Sequence, residues 1–165
     1  MDANNTPELN SRQKNLMKLK FFLFSVSAGV IQLASTTLLN TVVHLDQYTK
    51  IDEWLGNEYG LAYFIGLVLS VIWNFTLNRK FTFKSANNVP IAMLKIFGFY
   101  CVFAPVSIWW TVQLTNLGWH WAIVQIGTMI INLVTEFLFC QFVVYKGSIY
   151  TNEAAQAELA RQKEE

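Results

Sequence analysis

The sequence predicts an all-α integral membrane protein with four transmembrane helices, built as two parallel two-helix repeats with both termini in the cytoplasm. Three observations predict it. Four long stretches are nearly free of charge, basic residues cluster on alternate sides of them, and the second stretch ends much as the fourth does. Of the 165 residues, 53% are hydrophobic and only 14% are charged. An ordinary soluble domain has about a quarter charged residues, so the deficit points to lipid as the main solvent.

The four stretches are Phe21–Val43, Tyr59–Asn78, Ile96–Leu117 and Trp121–Tyr145. A helix needs about 20 residues to cross the roughly 30 Å hydrocarbon layer, and each stretch is long enough. Lipid offers backbone groups no partner, so each must be helical. The first follows Lys18 and Lys20 and looks superficially like a signal peptide. Its apolar run is too long for one, and no small-residue cleavage site follows.

Orientation follows from the basic residues. Arg12, Lys14, Lys18 and Lys20 precede the first stretch. Arg79, Lys80, Lys84 and Lys95 link the second to the third, and Lys146, Arg161 and Lys163 follow the fourth. The other two links hold Lys50 alone. Excess Lys and Arg marks the cytoplasmic side, which makes this a multi-pass protein with both termini in the cytoplasm. Aromatic residues gather near the expected boundaries: Trp54, Tyr59, Tyr63, Trp109, Trp110, Trp119 and Trp121 outside, Phe81, Phe83 and Tyr145 inside. Such belts form where amphipathic rings meet headgroups.

Between the stretches, His44–Glu58 is longer than a turn requires. Ile51, Trp54 and Leu55 share one face there, so a short interfacial helix is expected. Asn116–His120 reads as a tight turn around Gly118. Residues 1–17 read as a disordered cytoplasmic N-terminus and 18–147 as the membrane domain. Residues 148–165 read as a cytoplasmic tail with a short helix capped by Thr151 or Asn152.

The composition also excludes functions. A net charge of +1 gives no footprint for nucleic acid. Cys101 and Cys140 sit in apolar runs as small buried hydrophobes, without metal-ligand spacing or a disulfide framework. His44 and His120 lack a metal partner set. No nucleophile motif or phosphate-binding glycine loop occurs, so neither enzymatic activity nor a cofactor is expected.

The internal similarity has one constant offset. Moving 62 residues along the chain takes Phe75 to Phe137, Phe83 to Tyr145 and Lys84 to Lys146, and it sets Asn74 opposite Glu136. The first and third stretches also begin alike, with Lys20-Phe21-Phe22 beside Lys95-Ile96-Phe97. A two-helix unit used twice keeps both copies in one orientation, which is a parallel repeat.

Polar residues inside the spans are the candidate site. Glu136 is the one formally charged residue within any stretch. An acid near the bilayer centre costs about 2.5–3.5 kcal/mol on insertion scales and usually faces a cavity or a partner. It reads either as a proton carrier or pocket-tuning group, or as a protonated acid bonded to a neighbouring helix. Asn132, one turn away on the same face, is placed to share its hydrogen bonds. Asn74 and Asn78 share a face at the end of the second stretch, and Arg79 and Lys80 follow at headgroup depth. This set suits a lipid phosphate, because Arg grips phosphate with a fork and Lys as a point charge; it also suits a plain positive-inside anchor. Pro105 leaves the carbonyl of Cys101 without its helical donor and is a candidate kink. Gln32, Asn40, Gln113 and Gln125 read as interhelical hydrogen-bonding groups.

The ending Asn74-Phe75-x-x-Asn78-Arg79-Lys80-Phe81-x-Phe83 resembles the signature of the GtrA-like family. Lys20-Phe21-x-x-Phe24-x-x-x-x-Gly29 resembles that family's opening, and Glu136-Phe137 with Phe142-Val143-Val144-Tyr145-Lys146 resembles its close. The resemblance covers about residues 18–147. It implies a part in moving polyprenyl-phosphate-linked sugars across the cytoplasmic membrane for surface polysaccharide, beside a membrane glycosyltransferase that charges the lipid. Cys140-Gln141-Phe142 stands where the first repeat has Asn78-Arg79-Lys80, so a phosphate site would belong to the first repeat alone. The leading expectation is a translocase (flippase) of a polyprenyl phosphate or its glycosylated form. Arg79, Lys80, Asn78 and Asn74 would hold the phosphate, and Glu136 and Asn132 would line a polar path. Four helices are few to enclose that path, which suggests a homo-oligomer. The rivals are a non-transporting subunit that anchors a glycosyltransferase, and a small proton-coupled multidrug exporter.

Overall fold

The computed structural model describes residues 7, 9–45 and 61–164. The expected interfacial helix at Ile51, Trp54 and Leu55 lies outside them. Among the described residues there is no strand, and four helices are long and apolar enough to cross a membrane. Helix α1 is Ser11–Thr41. Helix α2 is Leu61–Leu77 and runs on as a π-helix over Asn78–Thr82. Helix α3 is Val89–Asn116. Helix α4 is Trp121–Phe139 and runs on as a π-helix over Cys140–Val144. A fifth helix, α5, covers Glu153–Glu164.

Two starts differ from expectation, and capping explains both. Residues 11–17 belong to α1 rather than to a disordered segment. Gln13 N donates to Asn10 Oδ1 at 2.8 Å, and Asn10 N donates to Gln13 Oε1 at 2.9 Å. This reciprocal box satisfies two backbone donors that a helix start otherwise leaves open. Helix α3 begins at Val89 instead of Ile96 because Asn88 caps it, accepting from Ile91 N at 3.2 Å, with Pro90 in the first turn. Lys95 is therefore inside the helix. Elsewhere the local signals hold: Gly118 takes φ +88° in the turn before α4, and Asn152 caps α5 by accepting from Ala155 N at 2.9 Å.

The described chain forms two compact units, Leu19–Thr82 and Met1–Lys18 with Phe83–Glu165. In the first, α1 and α2 meet at Gly66. A Cβ there would lie 3.0 Å from Gln32 O and closer still to Thr36 Oγ1. Trp73 Nε1 donates to Ser27 Oγ at 3.0 Å across the same pair. In the second unit, Trp110 Nε1 donates to Thr128 Oγ1 at 2.8 Å, joining α3 to α4. These hydroxyls carry the polar tie, whereas Asn40, Gln113 and Gln125 stand exposed. Large apolar side chains such as Leu33, Val102 and Met129 are exposed along the helices, as surfaces bathed in lipid are. Cys140 is buried as expected, but Cys101 is exposed, on a face of α3 that also carries Val102 and Pro105 to the outside.

The tightest packing of the second unit lies beyond the apolar spans. Phe83 and Tyr145 are fully buried (0% exposed) and stack at 4.6 Å, with Phe137 5.9 Å from Phe83. They are core residues, not members of an interfacial belt. Lys84 turns the chain with φ +45°, and Tyr150 does so with φ +58°. Between these turns the segments pair. Tyr150 N donates to Phe83 O, and Thr151 N and Asn152 N donate to Lys84 O, all at 2.8–2.9 Å. Ser85 bonds Ser148, Ala86 N donates to Thr151 Oγ1, and Asn87 Nδ2 donates to Val144 O. The Lys84 ammonium forms an ion pair with Glu158 on α5 and lies 4.7 Å from the Tyr150 ring centre.

Two outcomes check this packing. Gly66→Leu is expected to cost about 1–3 kcal/mol through overpacking and to lower the melting temperature in detergent. Gly127→Ala, with open space around it, is the neutral control. Burial and the Glu158 carboxylate push the Tyr150 phenol above its ordinary value of 10.0. The neutral phenol is thus favoured by folding, and its stabilisation is complete below pH about 10. It is lost as the pH rises through the higher folded value. An ultraviolet titration, read as the difference from Tyr150→Phe, should show late ionisation, and Glu158→Gln should bring it closer to 10.

Candidate functional site

The sequence-predicted residues fall into two clusters, one in each unit. The first closes α2. Asn78 Nδ2 donates to Asn74 Oδ1 at 2.7 Å, and Thr82 Oγ1 donates to Asn78 Oδ1 at 2.8 Å. Residues four apart stack on one helix face, so 74, 78 and 82 form a single ladder. The π-helix over Asn78–Thr82 carries its last step. π segments of this kind recur at functional sites. Asn78 and Thr82 are buried, Asn74 and Arg79 are half-buried, and Lys80 is exposed.

Lys20 joins this cluster from α1. Its Nζ donates to Phe81 O at 3.4 Å, while Lys80 Nζ lies 5.2 Å from the Phe81 ring centre. Phe24 packs on that ring at 6.1 Å. Lys20, Arg79 and Lys80 therefore gather around the last turn of one helix, where partial negative charge from the open carbonyls favours cations. Neither Ser11–Thr41 nor Leu61–Thr82 contains an Asp or Glu. Chemically this end offers fork and point-charge donors suited to an anion. Sequence reasoning missed Lys20 and Thr82. The signal for Thr82 was present, since the four-residue spacing from Asn74 to Asn78 continues to it.

The second cluster joins α3 to α4. Glu136 is only 6% exposed, and its Oε2 accepts from the Tyr100 hydroxyl at 3.0 Å. Asn132 lies within hydrogen-bonding reach of the same phenol. The phenol thus meets both the carboxyl and the amide that were expected to share hydrogen bonds. Asn132 Oδ1 is buried without a hydrogen-bond partner among the described residues. An aromatic row runs beside the cluster, with Phe139 to Phe99 at 5.1 Å, Phe99 to Phe103 at 5.4 Å and Phe103 to Trp110 at 5.6 Å. Tyr100 was not foreseen, because its partner is remote in sequence. Pro105 lies within α3, which runs on through it, and takes no part in either cluster.

The second unit repeats one detail of the first. Lys95 Nζ donates to Val143 O at 2.9 Å, as Lys20 does to Phe81 O. Phe81 and Val143 are separated by the same 62 residues that relate the two helix endings. The two π segments, Asn78–Thr82 and Cys140–Val144, share that offset too. Around Val143, however, the adjoining residues are Cys140, Gln141 and Phe142, without charge. Among the described residues no group of His, Cys, Asp and Glu is placed to hold a metal ion.

The family model described as GtrA/DPMS, transmembrane domain, matches residues 34–145. A bactoprenol-linked glucose translocase of Shigella phage SfV is 30% identical over 129 residues, covering 78% of this chain and 97% of the relative. No solved structure matches significantly.

The ladder is testable by itself. Asn78→Leu removes a buried amide between two partners and strands Asn74 and Thr82. A loss of about 1–3 kcal/mol is expected, read as a lower denaturation midpoint in detergent. Thr82→Val, which removes only the terminal donor, should cost less.

Proposed function

The chain belongs to the GtrA/DPMS transmembrane-domain family, and from that premise we propose that it is a translocase for polyprenyl-phosphate-linked sugar. The single observation that carries this reading is the cationic close of α2. Lys20 and Lys80 meet at Phe81, and Arg79 stands in the same last turn, beside the Asn74–Asn78–Thr82 ladder. A phosphate headgroup alone in hydrocarbon is prohibitively costly. A protein that moves one must offer cations where the headgroup enters and hydrogen-bonding groups where it crosses. Arg79 and Lys80 take the phosphate, Asn74 and Asn78 border it, and Glu136 and Asn132 supply polar groups further into the span. No covalent bond is made or broken, so the activity is transport rather than catalysis.

The distribution of Lys and Arg supports insertion in the cytoplasmic membrane with both termini inside. We read the two helix pairs as copies of one unit in parallel orientation, supported by the shared offset of the π segments and of the carbonyls within them that accept from a lysine of the preceding helix. The copies have diverged, since the first ends in Arg79-Lys80 and the second carries Glu136. The lipid is charged by a glycosyltransferase partner on the inner side, and several copies of the chain together enclose the path. One observation favours a docking role as well: α5 is fastened by the Lys84–Glu158 ion pair yet exposes Glu153, Gln156 and Arg161. That surface fits a transferase partner and is compatible with transport.

The test is reconstitution. Proteoliposomes containing the purified chain should expose inner-leaflet polyprenyl-phosphate glucose to an outside reagent. Arg79→Gln with Lys80→Gln should slow this at least tenfold. Equal rates in empty liposomes and in wild type would remove the translocase reading and leave the docking role.

A further inference from the structure

We propose that Tyr100, Asn132 and Glu136 form a recognition site for sugar hydroxyls, which selects the glycosylated lipid over the bare lipid phosphate. This deepens the reading of the chain as a carrier of polyprenyl-phosphate-linked headgroups and rests on it.

The argument is an inventory of donors and acceptors. A tyrosine hydroxyl has one proton to give, and Tyr100 gives its proton to Glu136 Oε2 at 3.0 Å. The Asn132 amide nitrogen in turn faces the Tyr100 hydroxyl oxygen, so what the cluster leaves open is chiefly acceptors. The Glu136 carboxyl keeps acceptor capacity beyond the Tyr100 bond in either protonation state, and it accepts only when ionised. Asn132 Oδ1 is a further acceptor, buried and without a partner among the described residues. An acceptor left open inside an apolar span is costly, and a ligand that brings donors would offset that cost; Ser25 Oγ and Thr36 Oγ1 are likewise buried without a partner among the described residues, but their helix α1 carries no acid.

The two parts of the proposed cargo differ on this point. An ionised phosphate brings oxygens and negative charge, which both the carboxylate and Asn132 Oδ1 oppose. A hexose brings several O–H donors and no charge, which both satisfy. The surrounding row of Phe99, Phe103, Phe139 and Trp110 keeps the cluster in an apolar setting, where hydrogen bonds discriminate strongly. Such a setting, with few convergent polar groups, is typical of small-molecule sites. The first helix pair gives the internal contrast. The 62-residue offset sets Ser70 and Asn74 where Asn132 and Glu136 stand. There Ser70 Oγ donates to Leu67 O and Asn74 Oδ1 accepts from Asn78. The pair that carries Arg79 and Lys80 thus lacks the carboxylate, and the pair that carries the carboxylate lacks the cationic couple. A mere helix tie between Tyr100 and Glu136 would need neither the charge nor the open amide oxygen.

The experiment titrates full-length protein in phosphatidylcholine nanodiscs with two probes of equal chain length, polyprenyl phosphate and polyprenyl-phosphate glucose. Asn132→Leu and Glu136→Gln should weaken binding of the glucose-bearing lipid about tenfold, the effect of losing one good hydrogen bond. Binding of the bare phosphate should stay within about twofold. Tyr100→Phe should lie between, since Tyr100 positions the carboxylate. Each variant is judged by the ratio of the two probes on one folded preparation, so a general loss of stability does not imitate selectivity. On wild type, an infrared difference spectrum should show the Glu136 carboxylate stretch move with the glucose lipid and not with the bare one. Equal losses for both probes, or an unmoved ratio, would overturn the proposal and leave a structural tie. Excess phosphatidylglycerol, whose headgroup is also a diol, should not displace the glucose lipid, and displacement would reassign the site to bulk phospholipid. If Arg79→Gln changes neither probe while Asn132→Leu still separates them, the phosphate site fails and the sugar site stands. If wild type binds neither probe, both fail.

Discussion

A polar group in hydrocarbon has no water to fall back on, and that constraint organises most of what this chain does with its polar side chains. The backbone answers by running the spans as helices. The side chains answer by pairing. Trp73 finds Ser27, Trp110 finds Thr128, and Asn74, Asn78 and Thr82 bond in series. Each is a short bond between groups that would be expensive alone. Against this background the exceptions stand out. Among the described residues Ser25 Oγ, Thr36 Oγ1 and Asn132 Oδ1 are buried without a hydrogen-bond partner, and of these Asn132 lies one turn from Glu136.

The best-packed region is where the constraint relaxes. Beyond α4 the chain can use water, yet Phe83, Tyr145 and Tyr150 are withdrawn from it and the Phe83–Asn87 segment pairs with Ser148–Asn152. Inside lipid, burying an apolar side chain gains little, since lipid is as apolar as leucine. Outside the hydrocarbon, the hydrophobic effect returns. The aromatic stack and the Lys84–Glu158 pair therefore give the second unit a core that its spans do not provide.

The two helix pairs divide the chemistry between them. Both end in a π segment whose carbonyl accepts from a lysine on the preceding helix. They differ in what surrounds that bond: cations with a neutral amide ladder in one, and a carboxyl with a phenol and an amide oxygen open among the described residues in the other. The proposed division between a phosphate site and a sugar site rests on that difference.

How much of this the sequence disclosed depends on range. The spans were legible because hydropathy is a sum over about 20 neighbours and needs no partner. The Asn74–Asn78 contact was legible because helix geometry alone sets it. The starts at Ser11 and Val89 were also encoded locally, in Asn10 with Gln13 and in Asn88 with Pro90, but an apolar scan passes over caps. Tyr100 and Lys20 could not be read in this way. Their partners lie 36 and 61 residues away, and no local rule links them. Phe83 and Tyr145 looked like interfacial anchors because an aromatic at a span end normally is one. Only the left-handed turn at Lys84 and the returning tail turn them inward. The sequence by itself therefore determined the lipid solvent, the helical class and which polar residues enter the spans. The tertiary structure decided which of those residues meet, because hydrogen bonds act over about 3 Å and only folding brings distant residues that close.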